Sequence, residues 1–339
     1  VERDIIQQFQ IYSTDSIQTN SLQYLQQTII IMSSQKARKI AMVGATGTVG
    51  SKTLAALLDK KIHTITAISR PESSATFPTD VTVKKGSYSD APFLQSALTG
   101  QDVLIMQLAM GPESMESQVP LIEAAAKAGV KYVLPTEFGS DPTSSLHDDF
   151  PMMAMKKKYR DLIEQRGMHW VAVVNNPWFD WSLKAGMWAV DIPGRKAVIK
   201  NVGDARFNTT TLAQVGRGVA SLLSLPEEKL GGFKNRPVYL KSFLVDQRAI
   251  LDSVIRATGT KESDWEVKTQ EPEGAIEESR KAVAAGNMMA FVGEFYTAHM
   301  QPGRGGNYDE KANQDAEILG MKEESLDDVV AAVVKELGA

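Results

Sequence analysis

Short apolar runs alternate with amphipathic segments from Lys39 to about Val174, and this predicts an α/β fold on a doubly wound, Rossmann-like parallel sheet with a smaller C-terminal α/β lobe. Three observations carry the prediction. A glycine-rich turn, Gly44-Ala45-Thr46-Gly47-Thr48-Val49-Gly50, joins the apolar run 39–43 to a helical pattern over 48–60. Further strand-like runs at 63–68, 81–84, 102–108, 131–134 and 169–174 are separated by helical patterns near 91–98, 114–128 and 151–166. Strands divided by helices require parallel crossovers. Finally, Gly100, Gly129 and Gly167 each fall just past a helical pattern, where a C-terminal cap belongs.

The first turn is the most specific element. A strand that bends on glycines into a helix gathers bare N–H groups and the positive end of a helix dipole at one point, which suits a pyrophosphate. Gly44 lets the chain turn, Gly47 lets a phosphate approach the backbone, and Gly50 lets the helix pack closely. The spacing G-x-x-G-x-x-G is not a Walker A motif: Val49 stands five residues after Gly44 and Lys52 five after Gly47, so no Gly-Lys-Ser/Thr follows in register.

The second strand ends Ala67-Ile-Ser69-Arg70 with no acid at its tip. An acid there would bond a ribose 2′-hydroxyl, whereas an arginine accommodates a 2′-phosphate. Arg70 therefore predicts NADP over NAD, with Ser69 adding a hydroxyl; a solvated arginine beside Glu72 is the competing reading. Beyond Asn175 the alternation stops. Helices are expected near 181–189, 211–224, 246–258 and 325–337 and short strands near 196–200 and 237–241, with loops at Pro193-Gly194, Gly231-Gly232 and Pro302-Gly303. The expected organisation is a polar, disordered extension over 1–35, a dinucleotide-binding domain over 36–180, and a substrate lobe over 181–339 interleaved with it. Met32 is a plausible true start.

Composition narrows the function classes. The 339 residues are 43% hydrophobic with a formal net charge of -4, enough for a large core and no reason to expect nucleic acid or an anionic membrane as partner. There is no cysteine, which excludes disulfides and thiolate chemistry, and the four histidines share no metal-ligand spacing, so no metal is expected. Thr28-Ile-Ile-Ile31 is too short to span a bilayer, and with Arg3 the only basic residue before Lys36 a cytoplasmic protein is expected.

A doubly wound sheet binds ligands outside the carboxyl ends of its strands. The stretches to inspect are Leu134-Pro-Thr136-Glu-Phe138-Gly-Ser-Asp141 and Val174-Asn-Asn176-Pro-Trp178-Phe179-Asp180. Thr136 and Asn176 are expected to contact cofactor, and Phe138, Trp178 and Phe179 to wall a substrate pocket, with Trp181 and Trp188 nearby; plain core packing is the alternative for each aromatic. The Tyr-x-x-x-Lys pair of ordinary short-chain dehydrogenases is absent, since none of the eight tyrosines has lysine four residues later. The helix over 151–166 offers lysines instead. Met152, Met155, Tyr159, Leu162 and Ile163 form one apolar stripe; Lys156 lies roughly 60° from its centre, Lys158 roughly 95°, and Lys157 almost opposite with Asp161 as an i,i+4 partner. Lys156 is thus the lysine placed to lean inward and to exchange protons as an acid/base, against the alternative of a wholly solvated basic patch.

Together Gly44–Gly50, Arg70, Pro135-Thr-Glu-Phe-Gly139, Lys156 with Arg160, and Ile163-Glu164 before Gly167 resemble the NmrA-like, isoflavone-reductase-like family of atypical short-chain dehydrogenases, over roughly residues 38 to 335. The resemblance implies NADPH as cofactor, Lys156 as the catalytic acid/base and Arg160 as a cofactor contact. Thr136 replaces the serine usual in plant members, and no lysine occurs among residues 71–80, where the family commonly has one for the cofactor. The activity it implies is reduction of a small, aromatic or conjugated substrate by a monomer or homodimer. The alternative within the family is a regulator that senses NADP without turnover.

Overall fold

The computed structural model describes residues 35–109, 111–200 and 205–339. Apart from Gln35, the extension expected over 1–35 lies outside the described residues, as does the side chain of Met152.

The first half reads as strands and helices in turn: β1 (Lys39–Val43), α1 (Thr48–Asp59), β2 (Thr64–Ser69), β3 (Val81–Lys85), α2 (Ala91–Leu98), β4 (Val103–Met106), α3 (Pro112–Glu116), α4 (Gln118–Lys127), β5 (Tyr132–Leu134), α5 (Leu146–Asp149), α6 (Pro151–Ala154), α7 (Lys156–Gln165) and β6 (His169–Val174). Then follow α8 (Phe179–Lys184), β7 (Val190–Asp191), β8 (Lys196–Ile199), β9 (Phe207–Thr209), α9 (Leu212–Ser224), α10 (Glu227–Gly231), β10 (Arg236–Tyr239), β11 (Phe243–Val245), α11 (Gln247–Thr258), β12 (Glu266–Thr269), α12 (Pro272–Ala284), α13 (Phe291–His299), α14 (Asp309–Leu319) and α15 (Leu326–Leu337).

The doubly wound sheet is present, with seven strands in the order β10-β6-β5-β4-β1-β2-β3. Every neighbouring pair is parallel. Pleating sends Ile40 and Met42 to one face and Ala41 and Val43 to the other. The first face packs on α1 and α9 through Leu54, Leu57, Val215 and Val219. The second packs on α2, α4 and α7 through Leu94, Leu121, Ile122, Tyr159 and Ile163. Burial on both faces explains why these strands read as unbroken apolar runs. Gly100, Gly129 and Gly167 take φ of +77°, +77° and +74°, the left-handed caps expected of them.

Several elements differ from the sequence expectation. The strand expected near 237–241 is the seventh strand of the central sheet, paired with β6 from Arg236 opposite Val171; its Pro237 is tolerated because the strand lies at an edge. With α9 on the sheet face beside α1, the chain beyond residue 180 returns to the first unit twice. The helix expected over 114–128 is interrupted at Ser117, and the one over 151–166 at Met155. From Lys156 onward the buried face is Lys156, Tyr159, Arg160 and Ile163, so Met155 stands 44% exposed instead of joining the apolar stripe. Two buried polar contacts, described below, draw the basic residues inward and set this phase. In the second lobe, β9 pairs antiparallel with β11, and β12-β8-β7 form a small sheet. Its core gathers Phe179, Trp188, Phe207, Phe243, Ile250 and Val330.

Candidate active site

The Gly44–Gly50 turn lies where the strand order reverses, between β1 and β4, the place at which an open parallel sheet leaves a crevice. Gly44 has φ +79°, and a Cβ there would stand 2.1 Å from the Gln107 carbonyl oxygen at the end of β4. A Cβ on Gly50 would stand 1.9 Å from the Gly44 carbonyl oxygen. Both glycines are thus required by backbone touching backbone. Thr46, Gly47 and Thr48 are exposed, and α1 begins with no side-chain cap and no acid in its first turn. Its first N–H groups and dipole therefore face outward with no partner among the described residues, a seat for an anion.

Next along the carboxyl edge come the loops after β5 and β6. They are tied together, since Asn175 N and Asn176 N both donate to the Gly139 carbonyl at 3.0 and 3.1 Å. Phe138 has φ +32° and Asn176 φ +51°. Both are non-glycine residues in the left-handed region, a backbone cost of about 1–3 kcal/mol each that persists only where surroundings enforce it. Asn176 is enforced by its own side chain, whose Nδ2 donates to the carbonyls of Asn208 and Gly306 at 2.9 and 2.8 Å. Thr136 is committed in the same way: its hydroxyl donates to the Met106 carbonyl at 3.1 Å and accepts from Leu108 N at 3.3 Å.

Between these loops and α13 lies a cavity of about 190 Å³, walled by Phe138, Met153, Trp178, Trp181, Phe295 and Tyr296, with the polar side chains of Gln107, Asn176 and Lys156 also in its lining. Lys156 is 4% exposed, and its Nζ donates to the Glu137 main-chain carbonyl at 2.5 Å. Burial holds its ammonium below the usual lysine range; the Glu137 carboxylate opposes this and Arg160 adds to it. Lys157 and Lys158 face outward, paired with Asp161 and Glu116 at 2.6 and 2.9 Å. Gln107 Oε1, Asn176 Oδ1 and Trp178 Nε1 are buried in this wall without a hydrogen-bond partner, a state that costs free energy until a ligand supplies one.

Three expected site residues lie outside this cavity. Phe179 does not reach the cavity: it is fully buried in the lobe core, its ring 4.9 Å from Phe243, with Trp188 beside it. Arg160, expected to touch cofactor, is also buried; its NH1 donates to Glu137 Oε2 at 2.7 Å and its guanidinium lies 5.5 Å from the Trp170 ring. Arg70 is at the far end of the crevice, 66% exposed, with Nε 3.3 Å from Glu72 Oε1 and a separate hollow beside it bounded by Tyr88, Ser87 and Ser117. Ala45 and Val49 are buried under the turn. The sequence reading did not find Gln107, Met153, Phe295 or Tyr296. A polar residue ending the apolar run 103–106 and the aromatic run Phe291–Tyr296 were the available signals.

Comparison with known proteins agrees with the fold. The model of the NmrA-like family matches residues 36–226. Oxidoreductase poxI of Penicillium oxalicum is 30% identical over 325 residues, 91% of this chain and 98% of the relative. Oxidoreductase aprR of Aspergillus flavus is 28% identical over 303 residues, 88% and 99% of the two chains. Among solved structures, isoflavone reductase superposes with a TM-score of 0.70 at 20% identity, covering 88% of this chain and 99% of its own. AtPrR2, solved with NADP+ and (+)pinoresinol, gives 0.69 at 19% identity with the same coverage. The NADPH complex of the quinone oxidoreductase QOR2 from Escherichia coli gives 0.64 at 18%, covering 87% and 99%.

Proposed function

We propose, starting from the fact that this chain belongs to the NmrA-like family, that it is an NADPH-dependent reductase of a small, aromatic or conjugated substrate. The observation that carries the reading is Lys156: a buried ammonium, held below its usual range, in the lining of an aromatic cavity on the sheet's carboxyl edge. Residues toward the dinucleotide fit it. The uncapped start of α1 suits its pyrophosphate, Arg70 a 2′-phosphate, and the unpartnered oxygens of Gln107 and Asn176 its hydroxyl and amide donors.

When bound, the dinucleotide would supply a hydride, two electrons with one proton. The chain's part is the second proton. Lys156 Nζ donates it to the reduced group and becomes a neutral amine, which recovers a proton from solvent after product leaves. Tyr296, the tyrosine in the wall, is unsuited as the acid: its hydroxyl is bonded to Ser182 at 2.6 Å and its pKa is pushed up to about 12 by burial. A cavity of about 190 Å³ admits roughly one ring, and with Glu137 already paired to Arg160 no free carboxylate awaits a cationic substrate.

The test is a screen of aromatic ketones, enones and benzylic ethers for NADPH oxidation, followed by two variants. Lys156→Ala should keep cofactor affinity and lose about 10²–10⁴ in kcat; Lys157→Ala should match wild type. Equal rates in both remove Lys156 from the chemistry. Tight NADPH binding with no turnover across the panel would instead favour the sensing regulator.

A further inference from the structure

Lys156 has one hydrogen-bond partner among the described residues, and it is a neutral carbonyl. A carboxylate is at hand on that same residue, because the carbonyl belongs to Glu137. Yet Glu137 Oε2 is held by Arg160 NH1 at 2.7 Å, with the two side chains 1% and 10% exposed, and Glu137 Oε1 has no partner. Arg160 lies one helical turn beyond Lys156 on the buried face of α7, so both cations approach Glu137 from one side. Of the two, the arginine has the carboxylate and the lysine has the main chain.

With all three groups ionised the cluster carries a net positive charge away from water. Arginine does not give up its proton in proteins, and the carboxylate has none to lose. Only Lys156 can relieve the excess. The other groups facing this corner do not offset it. His147, on α5, is kept neutral by burial, which lowers its pKa, and its Nε2 is 3.3 Å from Ser140 Oγ. Asp141 is paired with Lys311 at 2.9 Å. Tyr296, on α13, is bonded to Ser182.

We propose that Arg160 is a positioning residue for the proton donor: by fixing the Glu137 carboxylate through Oε2 it keeps that group out of salt-bridge reach of Lys156 and leaves the ammonium bonded to a carbonyl, ready to release a proton. This rests on the reading of Lys156 as the acid, and it gives the buried arginine a task inside the protein instead of on the cofactor.

The two halves of the ion pair should act on Lys156 in opposite directions. With lysines labelled at the ε carbon, the Lys156 signal, assigned by its loss in Lys156→Met, is followed against pH by NMR in the intact protein. In Arg160→Met the freed carboxylate turns to Lys156, and the midpoint should rise by about one to three pH units. In Glu137→Gln the carboxylate that favours the ammonium is gone, and the midpoint should fall. The double variant, with neither charge, should lie near wild type. Shifts in the same direction, or none in folded protein, overturn the proposal. Should the single variants fail to fold, a wild-type midpoint in the ordinary lysine range overturns it equally. The titration needs no substrate, so loss of the reductase reading would show in turnover and not here.

Discussion

Replacing Arg70 by alanine tests the choice of dinucleotide, and the structure sets the size of the effect. A hydrogen bond to a charged group contributes about 1.5–3 kcal/mol. Arg70 belongs at the low end, because its side chain is 66% exposed and already shares its guanidinium with Glu72 at 3.3 Å. Solvent screens such a contact, and a 2′-phosphate must compete with the carboxylate for it. Roughly 1.5 kcal/mol remains, about tenfold in Kd. Arg70→Ala should therefore weaken NADPH about tenfold and leave NADH unchanged, since NADH has no phosphate at that position. Glu72→Gln should do the reverse and tighten NADPH by a factor of about two to three, removing both a competitor and a like charge. Added salt should shrink both effects, as it does for any exposed pair. Quenching of tryptophan fluorescence by each cofactor provides the titration. An unchanged NADPH-to-NADH affinity ratio in Arg70→Ala would refute the assignment, and tighter binding of NADH by wild type would refute it outright.

Gly50→Ala brings a Cβ to 1.9 Å from the Gly44 carbonyl oxygen, backbone that cannot step aside, and should lower Tm and abolish cofactor binding together; Gly274→Ala, with nothing within 4 Å inside α12, should leave Tm unchanged or raise it slightly. Trp181→Ala removes a 40% exposed ring from the cavity wall, so KM for an aromatic substrate should rise severalfold while thermal stability holds, and a large fall in Tm would show the ring to be structural instead. His299 is buried with Nδ1 donating to the Phe295 carbonyl at 2.9 Å, and its pKa is lowered from 6.5 to about 4 by burial. The unfolded chain binds that proton first, so the contribution is complete above about pH 6.5 and is lost as pH falls toward 4, a change of about 3 kcal/mol. Denaturant titrations of wild type and His299→Leu over that range should show the steeper acid loss in wild type; parallel curves would rule the histidine out.

Much of the site was legible because its signals are local. The wheel of α7 separated Lys156 from Lys157 and Lys158, and the i,i+4 acid assigned Lys157 to solvent, where it pairs with Asp161. The same wheel put Met155 on the buried stripe, and the fold leaves it exposed. It weighed apolar residues alone, whereas the burial of Arg160 on Glu137 and of Lys156 on the Glu137 carbonyl turns the basic side inward. The aromatic cluster after β6 divides between two places. Trp178 and Trp181 line the cavity, while Phe179, on the other side of α8 from Trp181, and Trp188, in the turn after that helix, fill the lobe core.

By itself the sequence determined the parallel sheet, its glycine turn and the lysine that faces inward. These follow from periods of two and 3.6 residues, from caps and from the sterics of one tight turn, all contained in windows of about a dozen residues. Tertiary structure alone decided that β10 closes the sheet from beyond residue 235, that Tyr296 reaches back 114 residues to Ser182 at the cavity, and that Arg160 rather than Lys156 holds the carboxylate of Glu137. The physical reason is that apolar faces are nearly interchangeable as partners and that a carboxylate accepts either cation. Which one it meets depends on the distances left once the whole core has packed.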